Sequence, residues 1–189
     1  ELTRQPVSLL ARFDSMPASI GDDDVLVIRT DFAGLPGYDL LVSASHAEHL
    51  WNDVLTAGQS LGVRPVGMEA LELVRLERGV PLYGAELSED FNPLEANLKE
   101  FISFNKGCYI GQEVVARLDT YEKVQRHLVG LSWELDEDVA ANADLSSEGK
   151  RVGRLTSVAR SLRLSRGIGL GYVRKAQARP GVRLTIESP

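Results

Sequence analysis

Sulfur, histidine and aromatic side chains are all scarce in this 189-residue chain. A single cysteine, Cys108, excludes an internal disulfide and any Cys-rich zinc or iron–sulfur cage built from this chain alone. That usage fits a reducing, cytoplasmic compartment. Three histidines, with no nucleophile-elbow motif, leave no Ser/His/Asp set to argue. No run of eighteen apolar residues occurs, so no membrane-spanning helix is expected. The start, Glu1-Leu2-Thr3-Arg4, has no initiator Met and no apolar h-region, and reads as a processed chain or a fragment. What is present is ordinary for a folded domain: 43% hydrophobic and 25% charged residues, which excludes disorder over most of the length.

Charge is unevenly distributed. The formal net charge is −6, yet residues 1–122 hold 9 Lys/Arg against 20 Asp/Glu, and residues 123–189 hold 12 against 7. No acid lies between Glu148 and Glu187, where ten Lys/Arg fall. Such asymmetry suits an anionic partner: nucleic acid, an acidic protein, or the acidic first half itself. A solvated strand face is the alternative. After residue 123 only Trp133 and Tyr172 are aromatic, so no base-stacking platform is indicated.

The texture of the chain changes along its length. Asp24–Thr30 and Tyr38–Ser43 read as strands around the loop Gly34-Leu35-Pro36-Gly37. Ser45 is expected to cap a helix stopped by Gly58, and Val63–Val66 to be a short extended piece broken by Pro65. Met68, Leu71 and Val74 stand at helical spacing before Gly79. Glu72 and Glu77 on that helix are expected to be solvated and paired with Arg75 and Arg78. Pro93–Leu98 is expected to be a short helix, and Gln112–Tyr121 another. From about Lys123 onward only strands are evident: Val124–Trp133, Arg151–Val158, Ser161–Leu164, Ile168–Val173 and Arg183–Ile186. The expectation is an α+β first domain over residues 1–122, followed by a small antiparallel barrel or sandwich over 123–189.

The densest candidate for chemistry is Lys106-Gly107-Cys108-Tyr109-Ile110-Gly111-Gln112-Glu113. Gly107 and Gly111 permit backbone conformations closed to other residues. Cys108 stands just before an expected helix start, where unpaired N–H groups favour a thiolate, and Lys106 adds positive charge two residues away. Gln112 and Glu113 supply an amide and a carboxylate. A buried, inert cysteine behind a glycine turn is the other reading of the same residues. His46 and His49, three apart, suit a surface or capping role, since no third metal ligand is near. No metal site is expected. Gly167-Ile168-Gly169-Leu170-Gly171 lacks the spacing and helix of a dinucleotide fingerprint, and reads as a closely packed strand.

The Lys-Gly-Cys-Tyr-x-Gly-Gln-Glu segment resembles the signature of the YgfZ-type folate-binding proteins, relatives of the glycine cleavage T protein (aminomethyltransferase). Arg75-Leu76-Glu77-Arg78-Gly79-Val80-Pro81, Pro93–Leu98 and Arg29–Asp39 resemble further segments of that superfamily. The resemblance runs from about Val25 to Leu131. It implies the C-terminal part of the aminomethyltransferase folate-binding fold, with ferredoxin-like elements, then a β-barrel. Tetrahydrofolate is the implied cofactor. Leu35 falls where the T protein has a Glu that holds the pterin, and Leu71 where it has a second folate-contacting Arg. Unmet hydrogen-bonding groups cost about 1–3 kcal/mol each, so folate is expected to bind poorly or differently.

By this resemblance the chain acts in iron–sulfur cluster assembly or repair, with a link to tRNA modification, using Cys108 and Lys106. Gly107, Tyr109, Gly111, Gln112 and Glu113 shape the loop, and Arg75, Asn97 and Arg117 support it. The expected partners are iron–sulfur assembly proteins or an acidic carrier protein, with RNA as a further candidate. Two alternatives stand beside this reading. One is an aminomethyltransferase passing a one-carbon unit to tetrahydrofolate. The other is a non-catalytic RNA- or protein-binding module on residues 123–189.

Overall fold

A computed structural model describes residues 2–121 and 123–187. The chain divides into two compact units, Glu1–Glu72 and Leu73–Pro189.

Unit 1 is a three-stranded antiparallel sheet with one helix. β1 (Ser15–Ile20), β2 (Asp23–Thr30) and β3 (Gly37–Leu41) lie in that order. Alternation along β2 turns Val25 and Val27 inward, where Ala18, Ile20 and Leu50 complete a small core. Leu50 comes from α1 (Ala47–Gly58). β1 escaped the sequence reading because Pro17 interrupts it; as an edge strand paired only with β2, it tolerates a missing N–H. Gly21, at φ +57°, opens the turn between them.

The helix ends differ from expectation. No side chain caps α1, and Ser45 lies in a single 3-10 turn (Ala44–His46) that precedes it. α1 does end at Gly58, but not by a left-handed turn: Gly58 is helical, and a Cβ there would lie 2.5 Å from the Val63 side chain, so close packing demands the glycine. The chain continues through Gln59–Leu61 and reverses at Gly62, φ +76°.

α2 (Met68–Glu77) ends at Gly79, φ +71°, as the spacing predicts. Pro93–Leu98 is a turn and not a helix. Asn92 Oδ1 accepts from the N–H groups of Leu94 and Glu95, while Glu95 Oε2 accepts from Asn92 N–H. That reciprocal capping box is followed at once by Asn97 in a left-handed conformation, φ +60°, which stops any helix.

Unit 2 is built on a five-stranded, all-antiparallel sheet. β4 (Arg126–Trp133), β5 (Asp144–Ser147), β6 (Lys150–Ser161), β7 (Arg166–Arg174) and β8 (Thr185–Glu187) run in the order β4-β7-β6-β5-β8. Register shifts at Leu145/Ser146 and Leu155/Ser157 bend the sheet into a barrel-like form. Ser161–Leu164 is not a strand. β6 ends at Ser161, whose Oγ accepts from Leu164 N–H, and the chain turns back through Ser165 at φ +52°.

β7 is buried on both faces. On one face Ile168, Leu170 and Tyr172 pack with Leu76, Ala96 and Leu128. On the other stand Gly167, Gly169 and Gly171, as the close-packing reading requires. A Cβ at these positions would lie 2.0 Å from Trp133 Nε1, 2.5 Å from Ser157 O and 2.6 Å from Arg154 O. Trp133, directly opposite Gly167, leads a second core with Leu145, Val152, Leu155 and Val173.

Candidate functional site

The loop 106–113 is positioned from both ends. Behind it, α3 (Gln112–Thr120) starts at Gly111, whose φ of +90° lets the chain turn into the helix. Ahead of it, Lys99 reaches α3: its Nζ lies 2.6 Å from Asp119 Oδ1 and 5.8 Å from the Phe104 ring centroid. Between these anchors Cys108 is exposed, so the alternative of a buried, inert thiol is not what the fold provides. Ile110 is also fully exposed, and Tyr109 is half-buried. The Lys106 ammonium sits 5.1 Å over the Tyr109 ring, a cation–π contact. Gln112 is half-buried, while Glu113 and Arg117 are exposed on the helix. Gly107 needs no special backbone: its φ lies outside the left-handed region, and nothing stands within 4 Å of where a Cβ would be.

Arg75 and Asn97 are committed elsewhere. Arg75 is buried, its Nη1 donating to Glu86 Oε2 at 2.7 Å and to Val80 O at 3.1 Å, its Nη2 to Ser157 Oγ at 2.9 Å. Glu86 is fully buried and accepts further from Leu82 N–H, Thr156 Oγ1 and Ser157 Oγ. Its backbone carbonyl accepts from Tyr172 OH at 2.9 Å. Burial, helped by the charges of Glu95 and Glu86, pushes that phenol up to about 12. This network ties α2 to β6 and β7, and the sequence reading missed it. Asn97 Nδ2 donates to Leu128 O at 2.7 Å and fixes the capping-box turn on β4.

The expectation that Glu77 is solvated and paired with Arg75 or Arg78 is corrected: Glu77 turns to the β6–β7 hairpin, and Arg75 holds Glu86. Glu77 accepts from Ser161 Oγ at 2.5 Å and Arg163 Nε at 2.7 Å, and those two bonds hold its carboxyl below the usual range. Its side chain is 8% exposed, not solvated.

His46 and His49 converge on Asp23, at 2.9 and 3.0 Å. Asp23 is buried at the start of β2, so the pair fastens α1 and its approach to the β1–β2 turn. Among the described residues no group of three His, Cys, Asp or Glu could hold a metal. No helix among the described residues is long and apolar enough to cross a membrane. The bases of the β6–β7 hairpin meet acids of their own unit: Arg163 with Glu77, Arg160 with Asp138, Arg166 with Glu134.

A mixed α/β unit with an antiparallel sheet, followed along the chain by a small barrel-like antiparallel sheet, is the class of fold observed. Residues 6–106 match the family described as GCVT N-terminal domain, and residues 126–189 match the glycine cleavage T-protein C-terminal barrel domain. The chain therefore belongs to the glycine cleavage T-protein family. It is 36% identical over 163 residues to an aminomethyltransferase of Halothermothrix orenii, covering 86% of this chain and 45% of that protein. It is 36% identical over 174 residues to a putative chloroplastic transferase of Arabidopsis thaliana, covering 92% and 37%. The crystal structure of glycine cleavage system aminomethyltransferase T from Bartonella henselae superposes with a TM-score of 0.77 at 24% identity, over 96% of this chain and 49% of that one. The chain thus spans about half the length, or less, of the relatives it matches.

The side chains at the two positions matched to folate contacts do not fit a pterin. Leu35 is exposed in the turn between β2 and β3, and Leu71 is half-buried on α2. Neither offers a donor or acceptor to the ring edge.

Proposed function

We propose that this chain is a YgfZ-type member of the T-protein family, and that Cys108 acts in handling sulfur or iron during iron–sulfur cluster maintenance. The exposed thiol, held on a short loop between the Lys99–Asp119 anchor and the Gly111 turn, carries this reading. A thiolate is a soft ligand that suits iron. One cysteine completes no cluster, so the role is a transient handover with a partner that supplies the remaining ligands. Lys106, drawn over Tyr109, stiffens the loop. Gln112 and Glu113 present polar groups beside it at the first turn of α3. No step runs through folate, because Leu35 and Leu71 cannot answer its ring.

An aminomethyltransferase is the second reading, favoured by the relatives that carry that name. Two assays on the protein in its natural full length separate the readings. The first follows recovery of an iron–sulfur enzyme after oxidative damage in cells; the second follows aminomethyl transfer with carrier protein and tetrahydrofolate. We expect C108S to abolish the first, with no measurable transfer in the second from either form. Transfer activity that persists in C108S would overturn the proposal. In isolation, Cys108 should react with an aromatic disulfide reagent in the folded protein without a lag. Labelling that waits for denaturant would refute its accessibility.

A further inference from the structure

The sheet of unit 2 ends on two free edges. Among the described strands β4 pairs only with β7, and β8 only with β5. A cavity of about 680 Å³ lies at these ends, lined by residues 129–133 of β4, by the segment 177–184 and by Ile186 of β8. The backbone of β4 is aimed into it. Leu128 N–H donates to Glu95 O at 2.8 Å, and Leu128 O accepts from Asn97 Nδ2 at 2.7 Å, so both groups turn away from β7. Backbone groups alternate sides along an antiparallel strand, so those of Gly130 and Ser132 turn the same way. No described residue outside β7 hydrogen-bonds to either. The capping-box turn thus covers the first part of this edge and leaves the rest open.

Side chains follow the same period. Val129, Leu131 and Trp133 turn to the Trp133 core, and Leu184 and Ile186 pack against it as well. An open strand edge beside an apolar floor is the surface that receives an added strand. A small apolar ligand would fill the floor and leave the edge groups unanswered. The cavity also has charge of one sign. Arg179 and Arg183 line it, no Asp or Glu does, and neither guanidinium makes a hydrogen bond or ion pair with the described residues.

We propose that this slot docks an extended acidic segment of a partner protein, which adds a strand beside β4. The backbone of the segment pairs with Gly130 and Ser132. Apolar side chains at alternate positions enter the Trp133 core, and acidic ones between them meet Arg179 and Arg183. No residue of the slot belongs to the Cys108 loop or to its Lys99–Asp119 anchor, so the two readings stand or fall separately.

The probe is a synthetic peptide of alternating Glu and Val, blocked at both ends, titrated into the isotope-labelled protein in its natural full length. Binding should saturate at about 0.1 mM, slow hydrogen exchange at the Gly130 and Ser132 amides and shift the Trp133 indole N–H. The same peptide N-methylated at every residue should not saturate. R179E/R183E should weaken binding about tenfold, and a peptide with Lys in place of Glu should recover it on that variant. Such a reversal of sign separates charge recognition from damage to the fold. Equal binding of the N-methylated peptide, or no reversal on R179E/R183E, would overturn the site. So would Gly130 and Ser132 amides already protected before any peptide is added, since the protein would then fill the slot itself.

Discussion

At the scale of single residues, two ionic contacts set the clearest expectations. Glu86 is a fully buried carboxylate with four side-chain or backbone donors around it, one of them the buried Arg75. Removing it takes the buried carboxylate away from a guanidinium inside the protein. E86A should therefore cost about 3–5 kcal/mol in urea unfolding, while the double replacement R75M/E86M should cost clearly less. A double variant as unstable as E86A would show that packing, not the charge, dominates. His49 behaves differently, because it is exposed. Its hydrogen bond to Asp23, then the charge of Asp53, raise its affinity for a proton above the ordinary value of 6.5. The folded state then binds more protons than the unfolded one. The contribution is complete below 6.5 and fades as pH rises through the raised value. Urea midpoints measured from pH 5.5 to 8.5 should fall more steeply in the parent than in H49Q. Parallel profiles would remove the contact's role.

At the scale of elements, β7 shows what a sequence does and does not disclose. Its Gly-x-Gly-x-Gly alternation was readable as a closely packed strand, because no following helix or spacing suited a phosphate loop. The fold supplies the reason: neighbouring backbone and the Trp133 ring occupy the places where Cβ atoms would stand. G169A should cost about 3 kcal/mol, since the obstructing atom, Ser157 O, is backbone and cannot swing away. A change under half that size in thermal or urea unfolding would mean the sheet opens easily there. The strands rich in β-branched residues and the helices ending on Gly79 and starting near Gly111 were likewise legible from local chemistry. β1 and β5 were not: one carries a proline, and the other is four residues of Asp, Leu and Ser. The Asn92–Glu95 capping box was present in the sequence as N-x-x-E, but proline at the next position made a helix the simpler reading. For the site, the glycine hinge at Gly111 was legible, because Gly before a helix start has few other uses; the exposure of Cys108 was not, since the same residues also read as a buried thiol. The side-chain partners Glu86 and Ser157 of Arg75, and Ser161 and Arg163 of Glu77, were not. They are 11 to 86 residues away, and helical spacing points to nearer candidates.

At the scale of the whole chain, the change of texture near residue 122 and the compact unit beginning at Leu73 divide the polypeptide differently. Physical consequences follow from where the cores lie. Ile168, Leu170 and Tyr172 on β7 pack against Leu76, Ala96, Leu87 and Phe91, and Phe91 stacks on Tyr172 with ring centroids 3.7 Å apart. Thr156 and Ser157 on β6 hydrogen-bond Glu86. A piece starting at Lys123 keeps the Trp133 core but strips that whole face, exposing a contiguous apolar surface and removing Glu86, which accepts from Thr156, Ser157 and Tyr172. A piece starting at Met68 keeps α2, the Arg75–Glu86 pair and both cores. We expect residues 68–189 to unfold cooperatively in urea with protected amides along β4, β6 and β7. Residues 123–189 alone should bind a hydrophobic dye and lose that cooperativity. Cooperative unfolding of the shorter piece with the same amide protection would place the boundary at 122 after all. It would also reduce the segment from Leu73 to Leu98 to a covering the barrel does not require.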